Sequence, residues 1–224
     1  MIRVLGLFFI VIIIGLTSYK VTHGFFSSSA ASIGNVFSAS ATFPTPTPLN
    51  PGDVIINEIN WGGSNGDGND EWVELRNTTS HSILLNNWVI ENLGAGSGGG
   101  ANITIASASA TVPANGFFLV SSLVKSASRI NIDPDYVTSS VSLNNGGEQL
   151  RLKTNLNILM DTANATSGAW FGGSNSTPKK SMERKSPPGD GTVSGNWQTA
   201  ITHTNMDGSG VSDEFGTPKA TNGL

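Results

Sequence analysis

The chain has 224 residues, no cysteine and a formal net charge of −4, with 38% hydrophobic and only 12% charged residues. Without thiols there are no disulfides, zinc–thiolate centres or cysteine nucleophiles, and a mildly acidic chain disfavours nucleic acid as the main partner, since phosphate binding needs a basic face. Low charge with abundant Gly, Ser, Thr and Asn suits an exported all-β protein better than a helical cytosolic one.

Arg3 precedes an uncharged apolar run over residues 4–16. Residues 1–24 are therefore expected to be an apolar leader helix, either a signal peptide or an N-terminal membrane anchor. The run is shorter than the roughly 20 residues a spanning helix needs. Residues 25–52 are first Ser/Ala-rich and then Pro/Thr-rich, ending in TFPTPTPLNP. Such a segment has nothing to bury and reads as a disordered, extended linker.

From residue 53 the pattern changes. Val54-Ile55-Ile56-Asn57-Glu58-Ile59 and Trp72-Val73-Glu74-Leu75-Arg76 have the period of two of β-strands, and the loop between them carries Gly62, Gly63, Gly66 and Gly68. These glycines can adopt the positive φ that closes a hairpin. Asn86-Asn87 marks a turn before the strand around Trp88, Val89 and Ile90, and residues 93–100 form a glycine-rich loop. Ile103 and Ile105 alternate. Val112-Pro113-Ala114-Asn115-Gly116 is a turn leading into Phe117-Phe118-Leu119-Val120. Residues 142–148 form another turn, Leu150 and Leu152 alternate in a strand, and Ile158-Leu159-Met160-Asp161 begins the next. Short strands punctuated in this way predict a sandwich or barrel. The expected core is Ile56, Ile59, Val73, Leu75, Leu85, Trp88, Val89, Phe118, Val120, Leu150, Leu152 and Ile158.

The order of these pieces resembles a known family. Ile56-Asn57-Glu58-Ile59 is followed by Asp70-Glu71-Trp72-Val73-Glu74-Leu75-Arg76-Asn77, then Leu85-Asn86-Asn87-Trp88, then the turn and strand at 112–119 and the strands near 150 and 160. Ser181-Met182-Glu183-Arg184, Gly189-Asp190-Gly191, Asn196-Trp197-Gln198 and Gly216-Thr217-Pro218 continue the likeness. The sequence resembles the lamin-tail domain in its bacterial exported form. That resemblance implies an immunoglobulin-like β-sandwich over residues 53–185, with 186–224 as a C-terminal extension packing on it. It also implies an adhesion, scaffolding or tethering role.

Several residue sets invite a chemical reading. Asp67, Asp70 and Glu71 lie on the glycine-rich hairpin loop, and oxygen-bearing side chains on a flexible loop can ligate Ca²⁺. The twelfth-position Glu of an EF-hand is missing. Calcium is the one cofactor in view. Glu58, Glu71 and Glu74 could be taken as a carboxylate pair for glycoside hydrolysis, but a strand acid is more often satisfied by a cross-strand partner, with Arg76 and Arg151 as candidates. His23, His81 and His203 lie in no catalytic motif. Lys179, Lys180, Arg184 and Lys185 form the one basic cluster, read as a solvated strand edge. Trp170 and Phe171, between glycine-rich loops, are the candidate exposed platform for a sugar. The expectation is a non-catalytic secreted or cell-surface module that binds another protein or an envelope polymer, touching a membrane only through an uncleaved leader. A calcium-assisted carbohydrate-binding domain, or an accessory module tethering a surface hydrolase, is the alternative.

Overall fold

The computed structural model describes residues 48–93, 100–207 and 214–223. The leader, most of the linker and the centre of the glycine-rich loop at 94–99 lie outside the described residues. Among those described, all regular structure beyond two short 3₁₀ turns is strand.

One sheet is built from β1 (Val54–Asn60), β2 (Trp72–Asn77), β7 (Phe117–Ser121), β8 (Tyr136–Val137), β12 (Met182–Arg184) and β13 (Trp197–Thr199), in the order β13-β12-β1-β2-β7-β8. Only its β7–β8 pairing is parallel. A second, antiparallel sheet has the order β10-β9-β4-β5, from β4 (Val89–Asn92), β5 (Ile103–Thr104), β9 (Leu150–Lys153) and β10 (Leu159–Ala163). Two small ribbons complete the fold: β3 (Ile83–Leu84) with β6 (Thr111–Val112), and β11 (Lys179–Lys180) with β14 (Glu214–Phe215).

The inner faces of the two large sheets share one core. Ile56, Ile59, Val73, Leu75, Phe118, Val120 and Met182 from the first meet Ile90, Ile103, Leu150, Leu152 and Met160 from the second. This is the layering of an immunoglobulin-like sandwich, and burial of these side chains supplies most of its stability. Arg184 clamps the layers at one side. Its guanidinium lies 2.5 Å from the Asp161 carboxylate of the opposite sheet, over the Trp197 ring, and donates to the Ile56 carbonyl. Asp161 also accepts the Ile56 N–H.

Two expected core residues fall elsewhere. Val89 is half-buried because Trp88 and Ile90 take the inward positions of the alternation. Ile158 is 46% exposed because it sits in the β9–β10 turn, its N–H on the Thr154 hydroxyl, and Met160 fills the core in its place. Of the four hairpin glycines, only Gly63 takes positive φ (65°), and a Cβ there would lie 2.4 Å from the Gly68 carbonyl oxygen. The asparagine turns do adopt left-handed backbone, at Asn87 (59°) and Asn115 (53°).

The outer face of the six-stranded sheet is also covered. Trp72 and Leu119 pack there against Ile130, Ile132 and Met206, and the segment 214–223 lies across the strands beside them. β1 is therefore buried along its whole length on both faces.

Candidate functional site

The densest chemistry lies under that outer cover. β1 and β2 pair Ile56 with Leu75 and Ile59 with Val73, and the register shifts between Ile56 and Glu58. This bulge resets the alternation, so Ile56 and Ile59 both face the core while Glu58 turns outward opposite Glu74. On its other side Glu58 faces Glu183 of β12. Three glutamates thus stand in a row across three adjacent strands, each with 0% exposure.

Like charges side by side repel, and burial makes their charged forms costlier still. The C-terminal segment supplies donors. The Thr217 N–H reaches Glu58 Oε1 at 2.8 Å, and Ser181 Oγ donates to the same oxygen at 2.6 Å. Asn57 Nδ2 and the Lys219 N–H donate to the two oxygens of Glu74, and Gln198 Nε2 donates to Glu183. Thr217 Oγ1 lies 2.9 Å from Glu58 Oε2, 3.1 Å from Glu183 Oε1 and 3.4 Å from Asn222 Oδ1. A hydroxyl has one proton to give and here faces three acceptors, so at least one carboxyl must bring its own.

Among the described residues no cation bonds the row directly, and the Lys219 ammonium is turned to Asp135 at 2.7 Å. Burial, reinforced by the Glu183 charge, pushes Glu58 up to about 8 against the pull of Ser181 and Thr217. Burial and the Glu58 charge hold Glu74 well above the usual carboxylate range, and burial raises Glu183. Burial thus disfavours the charged form of all three acids, which are closed to solvent and lack the opening to substrate that acid–base catalysis needs. Their partners are not the arginines expected from sequence: Arg76 lies over Phe117, and Arg151 bonds Gln149.

The hairpin acids diverge. Asp67 is exposed and caps its own turn through Asn69. Asp70 is buried, one carboxylate oxygen on the Ser128 hydroxyl and the other on the Arg129 N–H. Glu71 points the other way and accepts the Leu143 N–H at 2.9 Å, its carboxyl pushed up to about 7 by burial. Among the described residues, no three His, Cys, Asp or Glu side chains gather as a metal-binding set.

Trp170 is not an exposed platform. It is 8% exposed, stacks on Trp61 at 6.1 Å, and donates its indole N–H to the Asn144 carbonyl. Phe171 packs half-buried against the same core. All five tryptophans are buried, because a ring of that size wins more from packing than neighbouring glycines suggest. The basic cluster is dispersed. Lys179 donates to the Gly62 carbonyl, Lys180 covers Phe215, Lys185 bonds Gly195, and Arg184 is buried in the sandwich against Asp161. His23 lies outside the described residues; of the other two histidines, the His81 carbonyl accepts from Asn77 and His203 leans on Phe215.

The Lamin Tail Domain family model matches residues 47–167. The chain belongs to the lamin tail domain family. A comparison with curated proteins found no match. The family is a non-catalytic, immunoglobulin-like one whose domains mediate protein interactions, in accord with the sealed glutamates. The matched stretch supplies β1 to β10, whereas Glu183, Thr217 and Asn222 come from beyond it. Sequence reasoning missed Glu183 and Thr217 as neighbours of Glu58, and Asn222 as the partner of Asn57 and Thr217. One local signal was present: Ile56 and Ile59, both apolar and three apart in one strand, require a bulge, and the bulge turns Glu58 outward.

Proposed function

We propose that this lamin tail domain is a non-catalytic module, exported to the cell surface or beyond, that holds a protein partner. The carrying observation is a division of labour. The acids best placed for chemistry are sealed inside, while the β9–β10 turn presents Leu156, Ile158 and Leu159 at 76%, 46% and 44% exposure. A cluster of apolar side chains on one hairpin tip is a natural contact for another chain. The strand edge beside it is already occupied, since the Met160 carbonyl accepts the Gly52 N–H. Recognition therefore rests on side chains at the tip. The apolar run at residues 4–16 and the Pro/Thr-rich spacer support export and display.

The test is in cells. A photo-crosslinker at position 156 is expected to trap one discrete partner in the envelope or extracellular fraction, and Leu156→Asp with Ile158→Asp to abolish capture. A crosslinker at exposed Val193 serves as control. Retention of the protein in the cytosol, or equal capture from both positions, would overturn the reading. An envelope polymer in place of a protein would appear as a polysaccharide adduct at position 156, and tethering of a hydrolase as capture of that enzyme.

A further inference from the structure

A second acidic site lies away from the glutamate row, at the turn over residues 142–148. Three side chains from separate parts of the chain converge on it. Glu71, just before β2, accepts the Leu143 N–H. Asn92, at the end of β4, places Nδ2 2.9 Å from Glu148 Oε1 and 3.5 Å from the Ser142 carbonyl. Glu148 itself accepts the Asn144 N–H. Glu71, Asn92 and Glu148 are 6%, 7% and 1% exposed. The two carboxyls are near enough to feel each other's charge.

Two oxygens of this group are buried without any partner: Asn92 Oδ1 and Glu148 Oε2. Buried polar atoms are almost always satisfied, and an orphan asks for an explanation. Both orphans are acceptors, so what is missing is a donor or a cation. The oxygens gathered there belong to two carboxyls and an amide, with no nitrogen or sulfur ligand among them. That chemistry selects a hard cation, and the two negative charges match a divalent one. Lys179 lends Glu71 some positive charge, but its ammonium is turned to the Gly62 carbonyl.

We propose that Glu71, Glu148 and Asn92 hold a calcium ion against the 142–148 turn. This site differs from the hairpin loop that sequence suggests. Asp67 and Asp70 take no part: Asp67 turns Oδ1 to Asn69 in its own exposed turn, and Asp70 is bonded to Ser128 and Arg129. Calcium would join the start of β2, the end of β4 and the turn before β9, tying both sheets at one end. Trp170, on the Asn144 carbonyl, gives the site an optical reporter.

The experiment uses the full chain, stripped with chelator at pH 8, with CaCl₂ and TbCl₃ as probes. Calcium at roughly ten times its dissociation constant should raise the melting temperature by about 3–6 °C. Excitation of tryptophan should sensitise Tb³⁺ emission that calcium displaces. Glu148→Gln keeps the side chain's shape and should fold, yet lose both responses; Asp67→Asn should keep both. The proposal is overturned if calcium leaves the wild-type melting temperature unchanged. It is overturned equally if Glu148→Gln responds as wild type does, or if Asp67→Asn abolishes the response. A calcium-blind protein in which Glu148→Gln makes stability fall less steeply with rising pH would also overturn the proposal and assign the orphan pair to a proton shared by Glu148 and Asn92.

Discussion

Replacing Glu58 by glutamine tests directly whether this buried acid holds its proton. In the folded protein Glu58 holds its proton up to about pH 8, against an ordinary value of 4.5 in the unfolded chain. The folded pKa is the raised one, so the stabilising difference is complete below about pH 4.5 and is lost as pH climbs towards 8. Each pH unit in that window costs about 1.4 kcal/mol per proton, on the order of 5 kcal/mol over the whole span. Glu74 and Glu183 shift in the same direction and steepen the loss. Glutamine retains the local bonds. Its oxygen can accept from Ser181 and the Thr217 N–H, and its amide can donate to Thr217 Oγ1, freeing that hydroxyl's proton for Glu183. Urea unfolding at half-unit steps from pH 5 to 9 should show wild-type stability falling with pH, and Glu58→Gln falling less steeply by about one proton, with the variant the more stable at pH 8. Wild-type stability that rises from pH 5 to 8, or equal slopes for the two proteins, would refute a protonated Glu58.

Three further outcomes follow from the same geometry. Thr217→Val removes the hydroxyl shared by Glu58 and Glu183 and should cost about 1–3 kcal/mol in urea unfolding, with Thr217→Ser recovering most of it. Gly216→Ala places a Cβ 3.1 Å from both Glu58 Oε1 and Trp72 Cζ2, which should cost about 1–3 kcal/mol and speed native-state hydrogen exchange selectively in residues 214–223. Arg184→Leu strands the Asp161 carboxylate between the sheets and should cost about 3–5 kcal/mol, whereas adding Asp161→Leu should restore a large part, as a double-mutant cycle would show.

The first half of the fold could be read from local pattern because its pairings are local. The β1–β2 hairpin, the left-handed Asn87 and Asn115, and the inward Leu150 and Leu152 all follow from alternation and turn chemistry. The pattern misleads where a residue falls in a turn and not in the strand, as at Ile158, or where bulk overrides context, as at Trp170. The glutamate row was harder to see, for a reason of distance. Thr217 and Glu58 are 159 positions apart, and Arg184 and the Ile56 carbonyl 128. No periodicity in a short window encodes a contact of that range. Asn92 and Glu148 are 56 positions apart and meet only once β4 and β9 are paired.

The family match stops at residue 167, yet the sheet does not. β1 has β2 on one side, and its other side is closed by β12 from beyond the matched stretch. Burying three acids in a row has no value as a source of net stability, since apolar residues there would avoid the desolvation cost. What the row provides is discrimination. An apolar cover could slide along an apolar face, but Thr217, Lys219 and Asn222 meet their acceptors in a single register, and a slip of one residue would leave buried carboxyls without donors. The same penalty makes docking of the C-terminal segment close to all-or-none. The residues after the match are therefore part of the sandwich: they complete its first sheet and fix the register of its outer cover.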